Sequence, residues 1–360
     1  MRVLGEQLRE SYSRRIIGWK KTLIILAVIL ACTAIASLNI GFSRIPFQKI
    51  IAVFLQVLPN SSQFLPEPSP AETVILLQVR LPRILAGILV GIALSAGGVV
   101  FQAIFRNPMA DPYVLGVSSG AALGGVVAIA FGFGAILFGA FVVPAMAFSG
   151  AALASIAVYR LARTRGATPA MALLLSGVAI SVVLSSLVTL TLFLANPYNQ
   201  LQAIVFWLIG SLASMSWAEV IVTAPLILIP AILLNFFARD LNIMLLGEEE
   251  AVHLGVSPES LKKVVLLLTS LGVASAVAIS GIIGFVGLIV PHIMRLVVGP
   301  DHRILLPASM LTGAIYLVTF DAVSRVIYLP SELPVGVVTA LVGGPFFLYL
   351  LQRKKGSYRI

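Results

Sequence analysis

Residues 84–104 read ILAGILVGIALSAGGVVFQAI, 21 consecutive residues without a charged side chain. A helix needs about 20 mostly apolar residues to cross the hydrocarbon core of a bilayer, so this stretch is long enough to span one. It contains four glycines and four alanines. Because small residues let helices approach closely in lipid, the stretch predicts a membrane helix with tightly packed neighbours. A second run rich in small residues, GVSSGAALGG at 116–125, predicts the same kind of contact.

Similar apolar runs recur along the 360-residue chain, which is 59% hydrophobic and only 11% charged. This composition lies far outside that of ordinary soluble domains. We therefore predict an all-α polytopic membrane protein with about ten transmembrane helices. They are placed at 22–40, 84–104, 114–133, 137–160, 170–194, 217–238, 264–282, 284–298, 304–324 and 335–352. They form a single transmembrane domain over 22–352, preceded by a segment at 1–21 and followed by a tail at 353–360.

The basic residues cluster in alternate connecting segments. The formal net charge is +10, and 19 of the 24 lysines and arginines fall on one side if the N-terminus is cytoplasmic. Cytoplasmic loops near membrane ends carry such an excess, so both termini are predicted to be cytoplasmic. The basic charge is thereby explained as a topology signal, and nucleic-acid binding is not expected.

The segment at 41–83 is the longest one predicted outside the membrane on the opposite side. Its apolar run at 50–55 is too short to span, and we interpret it as an interfacial helix. The apolar run that begins near Thr22 is followed by no small-residue cleavage pattern, which favours a retained span, with a signal peptide as the alternative.

The sequence offers little material for covalent chemistry. It lacks the phosphate-binding pattern G-x-x-x-x-G-K-[ST] and the zinc motif H-E-x-x-H, and its one cysteine, Cys32, lies in the first apolar run. We expect no catalytic site, no metal site and no cofactor on this chain. Any ATP and magnesium would be used by a separate ATPase subunit.

Three functional classes remain open at this point. An ion-coupled carrier usually has carboxylates deep in the membrane, whereas Asp321 here is four residues from Arg325 near the end of a span, where the two can pair. An intramembrane enzyme would have only the region of His292 and Arg295 to use. A transporter driven by a partner ATPase fits better, because the cytoplasmic segment 239–263 differs in composition from its surroundings and predicts a docking element.

Four motifs occur in order along the chain: RLPR at 80–83 continuing through AGILVGIALSAGGVVFQAIFRNPMADPYVLGVSSGA, then LGEEEAVHLGV, then GIIGFVGLIVPHIMRLVVGPDHRILLPAS, then ELPVGVVTALVGGPFFLYLL. Together they closely resemble the FecCD-type permease family, the membrane subunits of type II ABC importers for siderophores, haem and cobalamin. The similarity covers about residues 72–352.

The resemblance implies a homodimer in the lipid of the bacterial inner (plasma) membrane, with two cytoplasmic ATPase subunits and an external substrate-binding protein. It implies import of a metal chelate by ATP-driven alternating access. Ferric siderophore is the first substrate expected, followed by haem and cobalamin. An ion-coupled secondary transporter is the alternative.

Site residues follow from the same resemblance. Docking of the binding protein is assigned to Arg80, Arg83 and Arg325. The cytoplasmic gate is assigned to Asn107, Met109 and Thr168, and coupling to the ATPase to Leu246, Gly247, Glu248, Glu249, Ala251, Leu254 and Gly255. The translocation path is assigned to Ser181, Ser185, Ser186 and Thr189, whose small, weakly polar side chains would let a bulky chelate pass without holding it.

Overall fold

The fold is all-α in the part of the chain that the computed structural model describes, which is residues 2–41, 43, 45–55, 66–133, 139–164, 166–195 and 200–355. The end of the predicted tail, 356–360, lies outside this part. The helices are α1 (Arg2–Asn39), α2 (Phe47–Leu55), α3 (Pro70–Val74), α4 (Leu81–Ile104), α5 (Val117–Ala130), α6 (Val142–Ala162), α7 (Ala170–Leu194), α8 (Leu201–Ile209), α9 (Trp217–Phe236), α10 (Ala238–Met244), α11 (Glu248–His253), α12 (Pro258–Ser280), α13 (Val286–Val298), α14 (His302–Ser324) and α15 (Val335–Lys355).

All ten predicted spans coincide with helices. Seven described helices are long and apolar enough to cross a membrane, and α5, α13 and the apolar part of α15 are shorter. The chain is therefore a polytopic α-helical membrane protein. The short helix expected in the first external segment is also present, as α2, where Ile50, Ala52 and Val53 are buried.

The second span begins earlier than predicted. Helix α3, a π-helical turn at Ile75–Arg80 and α4 run on without a break from Pro70. A capping box explains the start, because the Ser69 hydroxyl accepts from the backbone N–H of Glu72 while the Glu72 carboxylate accepts from the N–H of Ser69. The last part of the predicted external segment 41–83 is thus helical.

Glycine pairs set the closest contacts in the bundle. Helices α4 and α14 run antiparallel, and a Cβ placed on Gly91 would lie 2.3 Å from the carbonyl oxygen of Gly313. A Cβ on Gly120 of α5 would likewise lie 2.3 Å from the carbonyl oxygen of Gly150 in α6. Each of the two small-residue runs was predicted to pack closely against a neighbouring helix, and this is confirmed, because no larger residue fits at these positions.

One helix was not predicted from the sequence. Helix α8 ends inside the bundle at the buried Gly210, whose φ of 83° is a left-handed conformation that favours glycine. The chain then turns back toward Trp217, whose indole N–H donates to the carbonyl of Leu77 (2.7 Å). With nine residues, α8 is too short to register as a span.

The irregular segment after α8 meets two other helix ends. The N–H of Ser211 donates to the carbonyl of Ser280 (2.8 Å), at the end of α12, and the N–H of Gly336, at the start of α15, donates to the carbonyl of Gly210 (3.1 Å). We call these contacts the inner junction. Beyond α12, the Tyr113 hydroxyl donates to the carbonyl of Ile283 (2.9 Å). Backbone groups freed where the helices end are therefore paired within the protein.

We predict that Gly91→Ala lowers the stability of the folded chain by about 1–3 kcal/mol, because the added methyl group would clash with the α14 backbone. The matched control is Gly272→Ala, a buried glycine in α12 whose added Cβ would meet only Pro230 at 4.0 Å. Thermal unfolding in mild detergent measures both variants. Equal midpoints for the two alanine variants would contradict the glycine contact.

Candidate functional site

The segment predicted to couple to an ATPase forms two short helices, α10 and α11. Helix α11 starts directly after Gly247 (φ 141°) and ends at His253, and Gly255 (φ 83°) turns the chain toward α12. The two glycines occupy backbone conformations that other residues rarely adopt, so they fix where the helix begins and where the chain leaves it.

The segment around α11 presents apolar side chains to its surroundings. Leu246 is 66% exposed and Leu254 is 57% exposed, and Val252 between them is also exposed. Ala251, by contrast, is fully buried and holds the helix against the bundle. Of the predicted coupling residues, Glu249 is exposed, and Glu248 is half-buried and turned toward α12. The segment therefore combines a fixed inner side with an exposed side that mixes apolar and acidic groups.

A single buried lysine holds this segment in place. Lys262 of α12 is 1% exposed, and its ammonium lies 2.8 Å from a Glu248 carboxylate oxygen and 3.1 Å from one of Glu259. It also donates to the carbonyl of Thr168 (2.9 Å). We call Lys262 and these three partners the lysine node. It joins α11, α12 and the loop before α7 through charge-assisted hydrogen bonds.

A second contact ties α10 to the loop before α14. The Asn242 side chain donates to Asp301 (2.8 Å) and its oxygen accepts from the N–H of His302 (2.8 Å). Burial opposes the charge of Asp301, but hydrogen bonds from Arg303 and Asn242 outweigh it and lower the pKa to about 2. The carboxylate is therefore charged at neutral pH and keeps this loop attached to α10.

The opposite end of the bundle contains a buried cluster of charges, which we call the arginine cluster: Arg80, Arg83, Asp321, Arg325 and Glu332. Arg83 lies 3.0 Å from Asp321 and 2.6 Å from Glu332, and Arg325 lies 3.3 Å from Asp321. The predicted pairing of Asp321 with Arg325 along α14 is confirmed. Together these ion pairs hold α4, α14 and the segment before α15 to one another.

Backbone carbonyls at the end of α1 complete the cluster. Arg80 donates to the carbonyls of Leu38 (2.6 Å) and Ser43. Arg325 donates to the carbonyls of Ser37 (3.2 Å) and Ile40 (3.0 Å) and to the Ser37 hydroxyl. The carbonyls that a helix leaves unpaired at its C-terminus thus find cationic partners.

The residues predicted to dock a binding protein are therefore internal in this conformation. Arg80, Arg83 and Arg325 are 5%, 5% and 2% exposed, and each is fully engaged with α1, α14 or Glu332. The Glu332 carboxylate is the accessible member, with 36% of its side chain exposed. The arrangement gives the three arginines a role in holding helices together, and docking through them stays a prediction.

The four predicted path residues share one groove on α7. Ser181, Ser185, Ser186 and Thr189 line an open groove of about 590 Å³ together with Gly177 and Val114. The hydroxyls of Ser186 and Thr189 donate to carbonyls one turn back in the same helix (2.9 and 3.1 Å). Because those hydroxyls are already satisfied, the groove surface is only weakly polar.

The predicted gate residues occupy two different environments. Asn107 is exposed, and its side-chain oxygen accepts from the N–H of Met109 (2.9 Å), which closes a tight turn after α4. Thr168 is fully buried in the lysine node. Their role as a gate stays a prediction, although the node does place Thr168 beside Glu248 of the coupling segment.

The comparison with known families decides the classification. A model of the FecCD transport family matches residues 25–353. This chain belongs to the FecCD transport family. The match begins well before residue 72, so α1, which contributed little to the sequence resemblance, is part of the family's common architecture.

Curated relatives cover most of the chain. It is 46% identical over 288 residues to the cobalamin import system permease protein BtuC of Halobacterium salinarum, covering 80% of this chain and 76% of that one. It is 39% identical over 332 residues to the hemin transport system permease protein HmuU of Yersinia pestis (92% and 95% covered). It is also 39% identical over 339 residues to the molybdate import system permease protein MolB of Haemophilus influenzae (94% and 97% covered).

A solved structure has the same fold. A metal-chelate type ABC transporter in an inward-facing conformation superposes with a TM-score of 0.80 at 35% identity, covering 93% of this chain and 99% of that one. The family is one of transport permease subunits, so the chain is a transport component and not a catalytic enzyme.

Three features of the site were missed in the sequence. None of Lys262, Glu332 and Asn242 was singled out in the sequence. The spacing of Glu259 and Lys262, three residues apart on one helix face, was the available signal for the lysine node. The other contacts join residues 14 to 249 positions apart, which no local pattern indicates.

We predict that Lys262→Met loosens the coupling segment, because Glu248 loses its buried cationic partner and the Thr168 carbonyl loses its donor. Limited proteolysis of the purified chain should cut between 245 and 256 at least several times faster than in the wild type. Lys263→Met is the control, since that neighbouring lysine is exposed. Equal cleavage rates for the two variants would show that the node does not hold α11.

We predict that Asp321→Asn destabilises the bundle by about 3 kcal/mol or more, because Arg83 and Arg325 keep their charges but lose the carboxylate between them. Glu249→Gln, on the exposed side of α11, is the control and should leave unfolding unchanged. The measurement is the midpoint of thermal unfolding in detergent. A midpoint within error of the wild type would mean that the ion pairs do not stabilise the fold.

Proposed function

We propose that this chain is the permease subunit of an ATP-binding-cassette importer that moves a metal chelate into the cytoplasm. Membership of the FecCD family and the likeness to a metal-chelate type ABC transporter support the assignment. Alternating access through a shift between inward-facing and outward-facing states would carry the substrate across. The chain itself performs no covalent step.

The surface of α11 is the observation that carries the ATP-driven part of the proposal. Leu246 and Leu254, which flank α11, and Val252 within it are exposed apolar side chains in a segment that is otherwise charged, and exposed apolar surface of this kind marks protein interaction sites. The ion pair between Lys262 of α12 and Glu248 holds the first residue of α11 against α12. A partner ATPase that binds Leu246 and Leu254 could therefore move α12 and the loop before α7 together, with ATP and Mg²⁺ bound by that partner.

A homodimer would complete the translocation path. Helix α7 has only three buried residues, Leu173, Gly177 and Thr191, and its serine-lined groove is open on the single chain. A second copy facing this groove would enclose it between two weakly polar walls. Such walls would leave selection of the substrate mainly to a separate binding protein.

Docking of an external binding protein would involve the arginine cluster. Its three arginines outnumber its two carboxylates, and Glu332 is accessible and bonded to Arg83. Acidic side chains on a binding protein could compete with Glu332 for this positive end of the bundle. The end with Lys262 would then face the cytoplasm of a bacterial inner membrane, with both termini on that side, as the lysine and arginine bias predicts.

The relatives of this chain are named for several different substrates. Relatives of similar identity are named for cobalamin, hemin, molybdate and, at 34% identity, iron(3+)-hydroxamate. A ferric siderophore stays the first substrate predicted, with haem and cobalamin next. Molybdate belongs in the same test panel because a relative so named covers nearly the whole chain.

We predict ATP-dependent uptake of one member of this panel by vesicles containing the chain, its cognate ATPase and its binding protein. Leu246→Asp with Leu254→Asp should abolish uptake and ATPase recruitment, since charges replace the apolar patch. Leu246→Met with Leu254→Met is the matched control and should retain both. Radiolabelled substrate accumulation and co-purification of the ATPase are the two readouts.

One result would overturn the importer assignment, and another would overturn only the role of α11. Uptake that survives ATP depletion and collapses with an ionophore would identify an ion-coupled carrier instead. Full ATP-driven uptake by the aspartate variant would remove α11 from the coupling surface while leaving the importer assignment intact.

A further inference from the structure

A long apolar groove runs between α6 and α12, on a part of the surface that the transport role does not use. It consists of a cavity of about 420 Å³ toward Lys263 and one of about 220 Å³ toward Ile279. Phe148 lines both cavities, so they adjoin at its ring and together make up the groove. From Lys263 to Ile279 it follows α12 for 16 residues, or about 24 Å.

The walls of the groove are almost free of unpaired polar groups. The hydroxyls of Ser155 and Ser275, which line it, donate to carbonyls in their own helices (2.9 and 2.8 Å). Leu266, Leu267 and Ile156 supply apolar surface at the larger end. A length of about 24 Å exceeds one leaflet of a hydrocarbon core about 30 Å thick, so a whole acyl chain fits along the groove.

The two ends of the groove carry opposite charges. Glu219, whose carboxylate accepts from the N–H of Ser216 (2.7 Å), lines the smaller cavity. Arg160, Arg163 and Lys263 line the larger cavity, and all three are exposed. In the described part of the chain no carboxylate lies within 4 Å of any of them. Glu259, one turn before Lys263, is engaged by Lys262. Three cationic groups therefore line the mouth, and no carboxylate from the described residues is paired with them.

The three charges sit where a headgroup would be. Arg160 and Arg163 lie at the C-terminal end of α6 and Lys263 lies in the second turn of α12, so all are at the end of the bundle that carries the lysine node. Basic pockets between helices at this boundary attract anionic lipid headgroups. A single lipid molecule could therefore place its phosphate beside the basic residues and an acyl chain against the apolar walls of the groove.

We propose that this groove binds an anionic phospholipid, with its phosphate on Arg160, Arg163 and Lys263 and one acyl chain running past Phe148. The inference needs only that the chain spans a bilayer, and it is independent of the proposed transport role. The bound lipid would touch α12 and the end of α6 next to the lysine node. Its occupancy would then bear on the same elements that Lys262 joins.

The test compares phosphatidylglycerol with phosphatidylcholine of identical acyl chains, added to the delipidated full-length chain and counted by native mass spectrometry. We expect tight binding of phosphatidylglycerol only. Arg160→Gln, Arg163→Gln and Lys263→Gln together should weaken it by about tenfold or more, since each basic group contributes separately. Lys20→Gln, Lys21→Gln and Arg239→Gln remove three exposed charges elsewhere and should change it by less than about twofold.

A second pair of variants tests the groove itself. Ala152→Phe places a ring in the larger cavity and should displace the lipid although all three charges remain, whereas Ala152→Ser should retain binding. Gel-filtration profiles confirm that each variant is folded. Equal affinity for the two lipids, equal weakening by the two triple variants, or full binding by Ala152→Phe would each overturn the assignment.

Discussion

Backbone groups inside a bilayer must find their hydrogen-bond partners within the protein, and the inner junction is where this chain meets that constraint. Helices α8 and α12 end there and α15 begins nearby, and the backbone groups of Gly210, Ser211, Ser280 and Gly336 pair with one another. The arrangement permits irregular backbone where Gly210 and Ser280 are buried within the bundle. A bundle built only of helices that cross it completely would have no helix ends in its interior to pair in this way.

The arginine cluster and the lysine node stabilise helix packing at opposite ends of the bundle. The arginine cluster joins α1, α4 and α14 at one end, and the lysine node joins α11, α12 and the loop before α7 at the other. Between them, glycine contacts bring helix backbones together without any charge. Each centre uses a buried cation with several oxygen partners, which is costly to form and strongly destabilised when one partner is lost.

Hydropathy was sufficient to predict the positions of the ten apolar helices, because it is a property of local sequence. Helix α8 was missed because nine residues cannot reach across a bilayer. The path serines fall on one groove because a single helix carries them all, whereas the partners of Lys262 come from three segments. Similarly, the burial of Arg80 and Arg83 depends on α1 and α14, which lie far away in sequence, so it could not be inferred from the RLPR motif alone.

The pairing of Arg83 with Asp321 spans 238 positions in the chain. At about 5–20 residues per second, a ribosome needs roughly 10–50 s after making Arg83 to supply its carboxylate. Once Ile104 has been made, 21 residues after Arg83, α4 is long enough to enter the bilayer, while Arg83 at its start still lacks Asp321. The order of synthesis thus leaves α4 without its ion pair to α14 until α14 has been made. The native packing of these helices cannot be completed before α14 is inserted.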